Sequence, residues 1–253
     1  MKLFSRTMGE GQPLLILHGL FGSADNWQSL AKTFSEHYKV YLIDQRNHGH
    51  SPHDPDISYD LMSEDLLGFI MEEDLRDILL IGHSMGAKTV MRLAQQYGLL
   101  IEKMIVADMG LKEYPPHHEQ IFKGLFAVDV DNCPSRKEAE ERLSAFVDVE
   151  GTTHFLLKNL YWKEPGKLAW RFNLEALSEK RTELMKALPP DKIEVPVLFL
   201  RGGKSTYIGD GDIENIKAQV PQSTFRTIED AGHWLHADAP AEFAQEVLAY
   251  FGA

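Results

Sequence analysis

The pentapeptide Gly82-His83-Ser84-Met85-Gly86 places a serine where it could act as a nucleophile. A serine hydroxyl is a weak nucleophile at neutral pH, so it must stand exposed at a tight bend where a histidine can take its proton. Glycine at positions 82 and 86 permits that bend, because a side chain at either place would collide with the neighbouring strand or helix. The histidine that suits the role is His233, in Ala231-Gly232-His233-Trp234, a glycine-containing loop near the end of the sequence. A third group is needed to orient the histidine and stabilise its charged form. Asp108 is a candidate for it. It follows the apolar run Met104-Ile105-Val106-Ala107 and so stands at the C-terminal end of a strand, where parallel-sheet enzymes place their chemistry. Serine, acid and histidine then occur in the chain order expected when the serine sits on a strand-to-helix elbow.

Acyl transfer passes through a tetrahedral oxyanion, which needs donors aimed at it beforehand. The apolar run Leu14-Leu15-Ile16-Leu17 ends in His18-Gly19-Leu20-Phe21-Gly22, a loop able to present a backbone N–H beside the elbow. The N–H of Leu20, paired with that of Met85, is the expected oxyanion hole, with Phe21 as the neighbouring alternative. His48, His50 and His53 form a histidine-rich turn, but their loop spacing lacks the helical or Cys-paired geometry of a zinc site. No metal and no organic cofactor is expected. Asp44 and Arg46 are expected to fix that turn by charge-assisted hydrogen bonds.

Positioning these groups requires alternating strands and helices. Ile78 to Ile81 reads as a buried strand before the serine, and Val90, Leu93, Ala94 and Tyr97 recur at helical spacing after it. Lys2 to Met8 reads as a short edge strand, Lys39 to Ile43 as a second buried strand, and Tyr59 to Glu73 as a helix with Met62, Leu66, Phe69 and Ile70 on one face. From Leu111 to about Pro190 the alternation stops. A capping box at Ser135 and Glu138, with Ala139, Leu143, Phe146 and Val147 at helical spacing, predicts a mainly helical insert. Its aromatic surface, including Phe155, Tyr161, Trp162, Trp170 and Phe172, would give the cleft an apolar ceiling. Strands resume at Val195 to Leu200 and Phe225 to Ile228, and a last helix carries Phe243, Val247 and Phe251. The expected organisation is an α/β core of residues 1–110 and 191–253, with residues 111–190 as a helical cap.

With 253 residues, 43% hydrophobic and 25% charged, the composition suits one large globular domain. A formal charge of −12 argues against nucleic acid, whose phosphates would be repelled. Cys133 is the only cysteine, so no intrachain disulfide is expected. Neither a secretory leader nor a membrane span is apparent, so no membrane partner and a cytoplasmic location are the default expectation. The sequence indicates no particular oligomeric state.

His18-Gly19-x-x-Gly22, Asp44-x-Arg46-x-x-Gly49-x-Ser51, Gly82-His83-Ser84-Met85-Gly86 and Gly232-His233-Trp234 together resemble the α/β-hydrolase superfamily over almost the whole chain. Within it, the segments Asp44 to Gly49, Gly82 to Thr89 and Ala231 to Asp238 are similar to the YbfF-type bacterial esterases. The resemblance implies a mostly parallel twisted sheet flanked by helices and a serine esterase acting on short acyl esters or, for some members, acyl-CoA thioesters. One position departs from the commonest pattern, since Gly202-Gly203-Lys204 is followed by Ser205 where many members carry the acid. The resemblance implies that Asp108 takes that role, with Asp210 and Asp212 behind it, and Ser205 is expected to hydrogen-bond near the pair. The expected function is a serine carboxylesterase acting on small-molecule acyl esters through Ser84, His233 and Asp108. Behind it stand an acyl-CoA thioesterase, a cofactor-free haloperoxidase-like or carbon–carbon bond hydrolase, and a ligand-binding receptor that keeps the fold without turnover.

Overall fold

The computed structural model describes residues 1–116 and 118–253. Its centre is a seven-stranded sheet built from β1 (Phe4–Met8), β2 (Pro13–Leu17), β3 (Lys39–Asp44), β4 (Ile78–His83) and β5 (Ile101–Ala107), completed by two later strands. Helices α1 (Gln28–Phe34), α2 (Tyr59–Glu72) and α3 (Met85–Tyr97) connect them. A long insert follows β5. It holds α4 (Glu119–Ala127), α5 (Arg136–Ser144), α6 (Glu150–Leu157), the strands β6 (Leu160–Glu164) and β7 (Lys167–Trp170), α7 (Leu174–Glu179) and α8 (Arg181–Met185). The sheet resumes with β8 (Val197–Gly202) and β9 (Ser223–Ile228), interleaved with α9 (Ile213–Gln219) and closed by α10 (Leu235–Asp238) and α11 (Pro240–Phe251).

The strand order is β1-β3-β2-β4-β5-β8-β9, with β1 antiparallel at the edge and the remaining pairs parallel. This is the mostly parallel sheet expected from the sequence. Helices cover both of its faces, so the central strands β2 and β4 are apolar whichever way their residues point. In β2, Leu15 and Leu17 pack towards α2 and α3, whereas Leu14 and Ile16 pack towards α1 and α11. In β4, Ile78 and Leu80 face the first side and Leu79 and Ile81 the second. The period-2 alternation of a strand thus divides one apolar run between two cores. No helix among the described residues is long and apolar enough to cross a membrane.

Two glycines let the sheet come close to α3. A Cβ at Gly82 would lie 2.5 Å from the carbonyl oxygen of Gly86, and one at Gly86 would lie 2.5 Å from that of Leu17. Neither contact is tolerable against backbone, so these positions have no room for a larger residue.

The insert is mainly helical but also holds one pair of strands. Leu160 to Trp170 forms an antiparallel hairpin, with Leu160 opposite Trp170 and Tyr161 opposite Ala169. Gly166 turns it at φ 79°. The signal is local: an aromatic Tyr161-Trp162 stretch and a Pro165-Gly166 turn favour a hairpin over a helix. Where the insert begins and ends, its two segments are held together by main-chain hydrogen bonds. The N–H of Tyr114 donates to Met185 O at 2.9 Å, and the N–H of Leu188 donates to Leu111 O at 2.8 Å.

Candidate active site

Ser84 sits between β4 and α3 with φ 52° and ψ −115°. A non-glycine residue in that region is strained and is held only where its surroundings over-determine it. Here the N–H of Ser84 donates to Ala107 O at 3.2 Å and its carbonyl accepts from Ala87 and Lys88, so strand β5 and helix α3 fix the bend from both sides. Ser84 lines a cleft together with His233, Leu20, Trp27, Phe155 and Trp234. It also lines a narrower slot, whose walls include Leu20, Tyr59, Met85, Tyr114, Met185 and Tyr207.

Asp108 follows β5, is fully buried and also has a positive φ, 49°. Its N–H donates to Leu200 O at 2.8 Å, which pins it to β8. One carboxylate oxygen, Oδ1, accepts from Gly202 N–H at 3.2 Å. The other, Oδ2, accepts from Ser205 Oγ and lies 2.8 Å from His233 Nδ1. Both oxygens of the buried carboxylate are thus hydrogen-bonded. His233 is held in turn: its ring stacks on Tyr207 at 3.7 Å, and its carbonyl accepts from His83 Nε2 at 2.9 Å. The structure therefore brings Asp108 and Ser205 to His233. Asp210 and Asp212 lie elsewhere, paired with Arg201 and Lys112 at 2.6 Å each.

The two expected donors differ from their alternative. Phe21 N–H is already engaged, donating to His48 Nε2 at 3.2 Å. Leu20 N–H has no acceptor among the described residues, and Met85 N–H, the first of α3, has no carbonyl one turn behind it. Leu20 and Met85 both line the slot beside Ser84. Phe21 instead shapes the loop, with φ 60° and its carbonyl accepting from the buried Asn159 Nδ2 of the insert at 2.8 Å.

The histidine-rich turn is bound up in hydrogen bonds. His48 Nδ1 donates to Arg46 O at 2.9 Å, and His18 Nδ1 donates to Gly19 O at 2.8 Å while its Nε2 accepts from Gln45 N–H at 3.1 Å. Asp44 accepts from the N–H groups of Ala24 and His50 at 2.7 and 2.8 Å, and Arg46 pairs with Asp65 at 2.6 Å. Burial pushes His18 down to about 4, and His48 and His236 down to about 3. His83 is held well below its ordinary value, also by burial. His83, Asn159, Tyr207 and His236 were not singled out from the sequence. Their roles arise from contacts with residues far away in the chain, and only the adjacency of His83 to the nucleophile gave any sign.

Ser205 offers a direct check. Ser205→Ala is expected to lower kcat about tenfold or somewhat more, the scale of one hydrogen bond to a charged acceptor, with the protein still folded. Rates and pH profiles of the variant against wild type measure it, and unchanged curves would remove Ser205 from the site.

The alpha/beta hydrolase family model matches residues 14–246, so the chain belongs to the α/β-hydrolase family. Among its relatives, esterase YbfF of Escherichia coli is 32% identical over 239 residues, covering 94% of this chain and 92% of that protein. The sn-1-specific diacylglycerol lipase ABHD11 of Mus musculus is 38% identical over 247 residues, covering 94% of this chain and 80% of that one. A solved structure described as a marine microorganism esterase aligns with a TM-score of 0.96 at 42% identity, over 98% of this chain and 99% of the other. These likenesses place the chain among the carboxylic ester hydrolases.

Proposed function

We propose that the protein hydrolyses small-molecule carboxylic esters through an acyl-enzyme on Ser84, with residues 111–190 acting as a cap over the cleft. The observation that carries this reading is the strained Ser84 opening onto a cleft it shares with His233, whose Nδ1 meets the buried Asp108 carboxylate at 2.8 Å. In the acylation step, Ser84 Oγ attacks the ester carbonyl carbon as His233 Nε2 takes its proton. Asp108 orients the imidazole and stabilises the imidazolium. The N–H groups of Leu20 and Met85 receive the negative charge that develops on the carbonyl oxygen. Collapse of the intermediate breaks the bond to the leaving alcohol, which takes its proton from His233. Water, deprotonated by the same histidine, then attacks the acyl-enzyme, and the acid leaves as Ser84 regains its proton.

The two spaces around Ser84 receive different parts of the substrate. The leaving group must lie where His233 can protonate it, which is the larger cleft, lined by His233, Phe155 and Trp234. The acyl chain then occupies the slot between Tyr59, Tyr114, Met185 and Tyr207, which His233 does not line.

The test is a matched acyl series from acetyl to octanoyl, offered as p-nitrophenyl esters and as CoA thioesters, together with mass analysis after treatment with a fluorophosphonate. The expected result is turnover of the esters and a single phosphonate adduct on the peptide that contains Ser84. Faster turnover of the thioesters would move the assignment to a thioesterase. An adduct elsewhere would overturn the mechanism.

A further inference from the structure

Lys88 is fully buried, one turn into α3 from the nucleophile, with its N–H donating to Ser84 O at 3.2 Å. A buried ammonium is costly unless its charge and its donors are met. Among the described residues no carboxylate meets this one. Its Nζ donates to Lys112 O at 3.0 Å and to Lys186 O, and lies 3.5 Å from Met185 O. The rings of Tyr59 and Tyr114 flank it, with centroids 5.5 and 5.1 Å from the nitrogen. Burial pushes the ammonium down to about 8, which leaves it protonated at neutral pH.

The partners are not a random set. Lys112 belongs to the segment on which the chain enters the insert, and Met185 and Lys186 to the segment on which it leaves. These are the segments already joined through Tyr114 with Met185 and Leu111 with Leu188. Tyr59, Tyr114 and Met185, all in contact with Lys88, are also walls of the slot beside Ser84. Tyr59 adds a tether of its own, its hydroxyl donating to Leu184 O at 2.7 Å. Carbonyl dipoles and ring faces hold a cation only when they converge on it, so the charge dictates where each of them stands.

We propose that Lys88 is a positioning residue that clamps both roots of the insert to the nucleophile helix and thereby sets the width of the slot that receives the acyl chain. The assignment of that slot to the acyl group rests on the ester-hydrolase reading above. The clamp itself does not. Without the ammonium, the carbonyls of Lys112, Met185 and Lys186 lose their shared donor and the two tyrosine rings lose the cation that draws them together. The slot then widens and admits longer chains.

The experiment compares wild type with Lys88→Met, which keeps the length of the side chain and loses the charge, and Lys88→Gln, which keeps an amide donor. Two quantities are read: the ratio of kcat/KM for p-nitrophenyl octanoate to that for the acetate, and amide hydrogen exchange in residues 111–114 and 184–188. In Lys88→Met the ratio is expected to rise at least fivefold and exchange in both segments to accelerate at least tenfold, with Lys88→Gln falling between the variant and wild type. Should Lys88→Met fail to fold, Lys88→Gln carries the same comparison with a smaller expected shift. Wild-type selectivity with wild-type exchange overturns the proposal, and accelerated exchange with unaltered selectivity overturns its claim on the slot. If wild type itself turns over no ester, the ester-hydrolase reading fails, and the exchange measurement decides the clamp alone.

Discussion

Ser84→Ala is expected to reduce kcat for a short p-nitrophenyl ester by about 10⁴ to 10⁶-fold, equivalent to roughly 5–8 kcal/mol of transition-state stabilisation. Without the hydroxyl no acyl-enzyme forms, and His233 and Asp108 are left with no proton to move. What remains is binding and the N–H groups of Leu20 and Met85, which polarise a carbonyl for slow attack by water. The substitution should leave the fold intact, because the strained backbone at position 84 is held by Ala107, Ala87 and Lys88 through main-chain groups that alanine preserves. Rapid-mixing kinetics distinguish the outcomes: wild type should show an acyl burst with activated esters, and the variant none. A variant retaining more than about one hundredth of wild-type turnover would mean that another residue is the nucleophile, since removing the nucleophile of such a triad costs far more.

Stability is expected to collapse on mild acidification. His18, His48, His83 and His236 are buried, and burial holds each below the ordinary value of 6.5. An unfolded chain therefore binds more protons than the folded one as pH falls below 6.5, and stability drops with falling pH. Each such group costs up to about 1.4 kcal/mol per pH unit below its unfolded value, and the four act in the same direction. Asp44, whose carboxyl is raised by burial, acts in the opposite sense, but it is one group against four. The geometry points the same way. Protonating His48 at Nε2 sets a donor against the N–H of Phe21, and protonating His18 at Nε2 sets one against the N–H of Gln45. Scanning calorimetry at pH 7.5, 6.0 and 5.0 checks this, with a steep fall in Tm expected below pH 6.5. A Tm that is flat over that range would mean that these histidines are protonated in the folded protein.

The elements legible in the sequence were those whose cause is local. Ile78 to Ile81 is apolar at every position because both faces of β4 are covered, and Gly82 and Gly86 are glycine because backbone lies 2.5 Å from where a Cβ would be. The position of Asp108 could be read because the second half of β5, Met104 to Ala107, is an unbroken apolar run that ends there. Phe21 as an oxyanion donor could not be judged, since its N–H is taken by His48, a residue from another loop. The hairpin at Leu160 to Trp170 has only a short local signal, the Tyr161-Trp162 stretch and the Pro165-Gly166 turn, set among apolar residues near helical spacing. Lys88 lies in the segment Gly82 to Thr89 that carries the resemblance, but nothing local marks it as buried. On a sequence it is an ordinary helical lysine, and only the burial of α3 on every side from Met85 to Met91 makes its charge an event.

The hydrogen bond from Asn159 to Phe21 O reaches further than its length suggests. It joins the insert to the loop that carries Leu20, so the scaffold and the reaction centre share one mechanical part. If warming loosens the insert before the sheet, this loop slackens with it. The protein should then reach its fastest turnover several degrees below the temperature at which it melts, and cooling should restore the lost rate in full.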